Sequence, residues 1–538
     1  MDAHGGRLAV EVLRRHDVDT MFTLSGGHLF VLYDGAVQAD LRLVDVRHEQ
    51  TATFAAEGFA KVTRRLGCAA LTAGPGVTNG VSAMTAAHMN GSPLVVLAGR
   101  APQARWGSGS LQELDHIPIV APVTKTAATA TSAASIVAEV DAACRAARTP
   151  HRGPTFVDMP LDVFGPGSVD LPAVAADDSF RGVSPDPDAV ARIAEMVGAA
   201  ARPVLVAGGD VYWAHAEAAM RAFAEAARVP VFVNGMGRGT LPADRELAFS
   251  RARSVALQGA DLVLVAGTPL DFRLGFGRFG DARVVHLCDA ASEIAPHASL
   301  AASTAGDLAA TFGALAASGA PPGAHDDWIT RLRAEEQVKR AAELPMLEAD
   351  TAPIKPARIY GELRKRLDRD AIVIGDGGDF VSYAGKLVES YLPGTFLDPG
   401  PYGCLGMGPG YALAAGVAHP QRQIVLLLGD GAIGFALGDF EALVRHGVHV
   451  TAIVGNNGIW GLEKHPMQAL FGYDVVADLS PGIRYDKVIE ALGGNGELVD
   501  APGDIGPALD RAFSTPGVSL VNVLTDPADA YPRSSNLA

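Results

Sequence analysis

The stretch QIVLLLGDGAIGFALGDFEALVRHGVHVTAIVGNNGIWGLEKHP, residues 423–466, decides the fold. Two apolar runs flank a helical segment, and each ends in a turn, Gly429-Asp430-Gly431 after the first and Asn456-Asn457-Gly458 after the second. A strand, a crossover helix and a second strand form a right-handed unit with parallel strands, so both turns emerge at the carboxyl edge of one sheet. Taken singly, each tripeptide is an ordinary turn. At this spacing Asp430 and Asn457 become partners. A carboxylate, an amide oxygen and a nearby backbone carbonyl are hard donors that suit Mg²⁺, with phosphate oxygens and water completing its octahedron. Gly429 and Gly431 let the backbone approach such phosphates closely.

The same alternation of short Val/Ile/Leu runs with Ala-rich helical stretches fills the chain, which predicts an α/β protein with parallel sheets covered on both faces. One series holds TMFTLSGG, RLVDVRH, CAALTAGPG and PLVVLAG; a second holds RPVLVAGGD, VPVFVNG, ADLVLVAG and ARVVHLCD. AIVIGDGG, QIVLLLGDG, HVTAIVGNN and VSLVNVLTD form a third. Linker-like composition at 164–190 and 317–327 separates them. Three domains are expected, over residues 1–165, 187–320 and 352–538, and the first and third are candidates for related folds.

Sixty acidic against 44 basic residues give a net charge of −16, which argues against a nucleic-acid or anionic-membrane partner. Any anionic ligand must be held by local groups. The four cysteines have no CxxC spacing, so neither a zinc cluster nor a disulfide framework is expected. The N-terminal 20 residues carry charges inside their apolar pattern and predict an amphipathic helix rather than a signal peptide. No stretch is apolar enough to span a bilayer, and a cytoplasmic location is expected.

These motifs resemble the thiamine-diphosphate enzyme family, whose cofactor motif begins with GDG and ends in Asn one such unit later. The resemblance covers nearly the whole chain. It implies three doubly wound parallel-sheet domains: pyrimidine-binding, middle and diphosphate-binding. It also implies thiamine diphosphate and Mg²⁺ as cofactors, the metal lying on Asp430, Asn457 and the Ile459 carbonyl. Met407, in YGCLGMGPGYALAAG, matches the bulky residue that bends the cofactor, although alone it would be read as packing. Glu49, in VDVRHEQTATFAAEGFAKVT, matches the carboxylate that activates the aminopyrimidine; burial at a helix start would raise its pKa toward a useful range. The bland alternative is a helix-start Glu stabilised by the macrodipole. Gly26, Gly27 and Gln112 match residues lining the reaction chamber, and His28 is a candidate for orienting substrate oxygens. The family pairs Glu49 with the diphosphate site across a subunit interface, which implies a homodimer or homotetramer.

Within the family the middle segment NGMGRGTLPADRELAFSRARSVALQGADLVLVAGTPLDFRLGFG looks most like the acyl-CoA branch. Arg251, Arg253 and Arg273 are candidates for an ADP or CoA phosphate, and Asp289 for a ribose hydroxyl, against the alternative of solvated surface pairs. Glu463 stands where acetolactate synthases usually carry an apolar residue, and Pro466 where they place Trp. A carboxylate there suggests proton transfer to and from a substrate hydroxyl, unless it merely pairs with Lys464 or His465. The expectation is therefore a lyase that cleaves 2-hydroxyacyl-CoA to formyl-CoA and an aldehyde or ketone, reversibly. The alternative is an acetolactate synthase that condenses two pyruvates and carries FAD in the middle domain. A third reading is a silent assembly subunit with an inherited fold. The polar C-terminal segment DPADAYPRSSNLA is expected to be a frayed tail or a lid over bound acyl-CoA.

Overall fold

The computed structural model describes residues 1–171, 182–317 and 325–531. The C-terminal tail lies largely outside these residues, as do parts of both linkers. Among the described residues there are three six-stranded sheets. The first contains β1 (Thr20–Thr23), β2 (Arg42–Asp45), β3 (Gly67–Leu71), β4 (Leu94–Arg100), β5 (Ala127–Thr129) and β6 (Pro154–Pro160). The middle sheet contains β7 (Pro203–Ala207), β8 (Val231–Val233), β9 (Ala248–Phe249), β10 (Leu262–Ala266), β11 (Arg283–Cys288) and β12 (Ala302–Ala305). The third contains β13 (Ile372–Asp376), β14 (Phe396–Leu397), β15 (Ile424–Gly429), β16 (Val450–Asn456), β17 (Asn495–Val499) and β18 (Val518–Leu524).

Neighbouring strands within each of these sheets are parallel, as between β15 and β16, where Gly429 pairs with Gly455. Helices cover both faces, so central strands such as β15 and β16 are buried along their whole length, which explains their unbroken apolar runs. Numbered by chain order within each sheet, the first and third both run 2-1-3-4-6-5, which bears on their expected kinship; the middle sheet runs 3-2-1-4-5-6. In each case the order reverses beside the first strand, and the crevice outside the strand tips at that reversal is where open α/β sheets bind ligands. No described helix is long and apolar enough to cross a membrane.

The first and third domains join through α1 (Glu49–Thr63) and, after α2 (Pro75–Met89), α3 (Gly408–Ala418). Small residues let α1 and α3 approach closely. A Cβ on Gly58 would lie 2.9 Å from the Tyr411 ring, and one on Gly410 would lie 2.9 Å from Phe54 Cβ. One hydrophobic core runs through both domains at this contact. Within it lies a buried ion pair, Lys61 Nζ to Glu57 Oε1 at 2.9 Å. Lys61 donates to the Tyr411 hydroxyl at 2.8 Å, and that hydroxyl donates to Glu57 Oε2 at 2.7 Å. Asn90 and Ser92 also donate to Glu57 Oε1. Removing one member of a fully satisfied buried pair strands the other charge. Lys61→Met is therefore expected to destabilise the junction by about 3 kcal/mol, read as a fall of several degrees in the first thermal transition; an unchanged transition would contradict this.

Candidate active site

The reversal in the third sheet lies between β13 and β15. The β13 tip continues into Gly377 and Gly378, both at positive φ (+59° and +95°), and the β15 tip into Asp430 and Gly431. These two turns wall a cavity of about 440 Å³, together with Asp379, Ile459, Trp460 and Glu463. Asp430 is only 4% exposed, and Asn457, beyond the tip of the adjacent β16, is 8% exposed. The structure thus brings together Asp430, Asn457, Gly429, Gly431 and Ile459. Asp430 Oδ2 accepts from the Gly458 amide at 2.7 Å and Oδ1 from Gly431 at 3.1 Å. Asn457 Oδ1 accepts from the Ile459 amide at 3.2 Å, and its Nδ2 donates to Asp379 Oδ2 at 3.2 Å. Burial pushes the Asp430 carboxyl up to about 6 against those amide hydrogen bonds, and burial raises Asp379 as well. The oxygen donors gathered around this buried carboxylate are those a magnesium ion prefers. A Cβ on Gly431 would meet the Trp460 ring at 2.4 Å. The donor set and the glycine-walled cavity fit a magnesium diphosphate.

The corresponding reversal in the first sheet lies between β1 and β3 and gathers a second group. Glu49 begins α1 and is 8% exposed; Asn79 on α2 donates to its Oε2 at 3.0 Å. His28 Nδ1 lies 3.3 Å from Thr72 Oγ1, and burial keeps its pKa below the usual imidazole value. A Cβ on Gly26 would strike Thr72 at 2.4 Å, whereas Gly27 faces open space. Gln112 adopts φ +57° and packs against Gly74, itself at φ +60°. Gly74 is pinned by its amide donating to His116 Nε2 at 2.9 Å, while His116 Nδ1 lies 2.8 Å from buried Asp158. Every residue on the wall of the 440 Å³ cavity belongs to the third domain, and Glu49 is not among them. Met407 is fully buried at the start of α3.

The middle-domain residues divide. Arg251 is withdrawn from any ligand: its Nε lies 3.2 Å from Glu343 and its Nη1 3.7 Å from Glu389, in a buried pair. Arg253 is partly buried near Arg238 and Arg273, and burial brings its guanidinium down to about 10. Arg273 lines a second cavity of about 440 Å³ at the middle sheet's strand tips but is held by Asp271 at 2.7 Å. Arg253 thus lies near Arg273, while Arg251 is engaged by Glu343 and Glu389. Asp289 ends β11 as expected; His151 Nδ1 lies 3.1 Å from its Oδ1 and 3.5 Å from Asp210. Its Oδ2 and the nearby Arg152 Nη1, 3.8 Å away, are both buried without a hydrogen-bond partner among the described residues.

Several site residues escaped the sequence reading. Gly377, Gly378 and Asp379 stand in AIVIGDGGD, where the repeated Gly-Asp was the available signal. Thr72, Asn79 and His116 carried no local signal.

The three six-stranded parallel sheets fit a thiamine-dependent enzyme, and the chain belongs to the thiamine pyrophosphate enzyme family. Its residues 3–119 match the N-terminal TPP binding domain, 190–315 the central domain and 376–523 the C-terminal TPP binding domain of that family. Among its relatives, a probable acetolactate synthase of Mycobacterium bovis and the acetolactate synthase large subunit IlvG of Mycobacterium tuberculosis are each 55% identical over 99% of this chain and 98% of theirs. A 2-hydroxyacyl-CoA lyase 2 of Caenorhabditis elegans is 32% identical over 98% of this chain and 90% of its own. The expected 2-hydroxyacyl-CoA lyase activity is overturned by this difference. Glu463 is exposed in the first turn of α4 (Gly461–Phe471) and lines the cavity. Lys464 pairs with Asp474 and Asp478.

Because Gly431 admits the Trp460 ring, Gly431→Ala is expected to displace that indole and shift the intrinsic tryptophan fluorescence of the apoprotein. An unaltered spectrum would show that the two do not touch.

Proposed function

We propose that the chain is an acetolactate-type synthase that joins two pyruvates with loss of carbon dioxide, using thiamine diphosphate and Mg²⁺. The observation that carries this reading is the 55% identity over nearly the full length of proteins named acetolactate synthase. When bound, the cofactor supplies a carbon acid that adds to a keto group and holds the electron pair left by the departing carboxylate.

The chain's own residues do the rest. Asp430, Asn457 and the Ile459 carbonyl would hold the metal, and Gly429, Gly431, Gly377 and Gly378 would leave room for the diphosphate. Glu49, oriented by Asn79, holds and returns a proton at the aminopyrimidine ring nitrogen. Met407 supports the bent cofactor. Gln112 and a neutral His28 orient the substrate oxygens, and Gly26 and Gly27 leave space for them. Two pyruvate anions and one proton give one acetolactate anion and carbon dioxide.

The absence of Glu49 from the wall of the diphosphate cavity supports a homodimer or homotetramer in which a second copy brings that carboxylate. Exposed apolar side chains, among them Met89, Phe435, Leu470, Phe471 and Val476, offer surface for such a copy. The same reading gives the middle domain's strand tips to a nucleotide, FAD in a synthase. Asp289, immediately after β11, is the candidate for a ribose hydroxyl.

The test is turnover of pyruvate by protein loaded with thiamine diphosphate and Mg²⁺. Acetolactate is expected, with Glu49→Gln slower by about 100-fold or more. A loaded wild-type protein that makes none, or a Glu49→Gln variant of unchanged rate, would refute the proposal. The flavin assignment is checked by releasing bound nucleotide with denaturant: FAD is expected from the wild type and is lost from Asp289→Ala. Stoichiometric flavin retained by that variant would contradict the assignment.

A further inference from the structure

Asp376 ends β13, beside the Gly377–Gly378 turn of the diphosphate cavity, and its side chain is fully buried. Its carboxylate reaches across to the loop that leads into α3. Oδ1 accepts from the Gly406 amide at 2.9 Å, and Oδ2 accepts from the Gly408 amide at 2.8 Å. Met407 is the residue between. Both flanking glycines are demanded by this grip. Gly406 adopts φ +83°, and a Cβ on Gly408 would lie 2.8 Å from Asp376 Oδ2. From another side Gln50 Nε2, next to Glu49, donates to the Leu405 carbonyl at 3.3 Å. Amide bonds to a carboxylate are stronger and shorter than neutral ones, so a single side chain fixes both peptide groups around Met407. An amide in its place has one acceptor oxygen and turns an NH₂ toward an N–H.

From this geometry we infer that Asp376 is a positioning residue for Met407, clamping the two amides that flank it and so fixing the backbone that supports the cofactor. The inference rests on the cofactor reading above, and its test separates the two.

In apoprotein, Asp376→Asn should speed hydrogen–deuterium exchange of the peptide spanning 404–410 by about tenfold or more. In protein loaded with thiamine diphosphate and Mg²⁺, the same variant should slow exchange of the thiazolium C2 proton by about tenfold, while cofactor affinity changes less than roughly threefold, because Asp430 and Asn457 are untouched. Met407→Ala should slow C2 exchange to a similar degree, and the double variant should be no slower than either single variant, since both changes break one device. Unchanged amide exchange in Asp376→Asn, or effects of the two substitutions that multiply, would overturn the inference. So would a parallel loss of cofactor affinity and C2 exchange, which a merely structural role would produce. Wild-type protein that binds no thiamine diphosphate would instead defeat the cofactor reading, a result the apoprotein measurement does not depend on. Should the Asn variant not accumulate folded, Asp376→Ser is judged by the same criteria. Failure of both to fold would make Asp376 a core residue and overturn the inference.

Discussion

A carboxylate buried at the tip of a parallel strand is unfavourable without a cation, and Asp430 is such a carboxylate. Its amide partners at Gly431 and Gly458 reduce the cost, but burial still raises its pKa to about 6. A magnesium ion bridging Asp430, Asn457 and a diphosphate would remove the difficulty and make the ligand's charge part of the local balance. The surrounding architecture follows from this need. The sheet order reverses between β13 and β15, which opens the crevice, and glycines at both tips keep side chains out of it.

The first and third domains share one strand order and meet through tightly packed helices. Each places its ligand-facing group at its own reversal: Glu49, His28 and Gln112 around one, Asp430 and Asn457 around the other. Two half-sites built by equivalent topology need a fixed relation, and the buried Glu57–Lys61–Tyr411 network supplies rigidity at the helix crossing. Gln50, adjacent to Glu49, donates to the Leu405 carbonyl in the loop that carries Met407.

The central strands were legible because burial on both faces forces unbroken Val/Ile/Leu runs, and the two turns after β15 and β16 were legible because Gly-Asp-Gly and Asn-Asn-Gly stand one βαβ unit apart. Edge strands such as β9, β14 and β17 escaped, being short and needing no such run. Asp376 escaped because a strand-ending Asp in sequence does not say which amides it will meet. The partners of the arginines were equally illegible: Arg251 and Arg253 are two residues apart, yet one pairs with Glu343 and Glu389 while the other lies near Arg238 and Arg273. Choice among thiamine chemistries depends on the shape of a chamber shared between domains, which no short motif records, and full-length likeness decided against the motif.

The central claim is that metal and diphosphate are gripped together by the tips of β15 and β16. Calorimetric titration of apoprotein with thiamine diphosphate, in the presence and absence of Mg²⁺, tests it most directly. The account predicts saturable binding of one cofactor per chain that requires Mg²⁺ and is abolished in Asp430→Ala. Binding of equal strength without a divalent ion, or no binding under either condition, would contradict it.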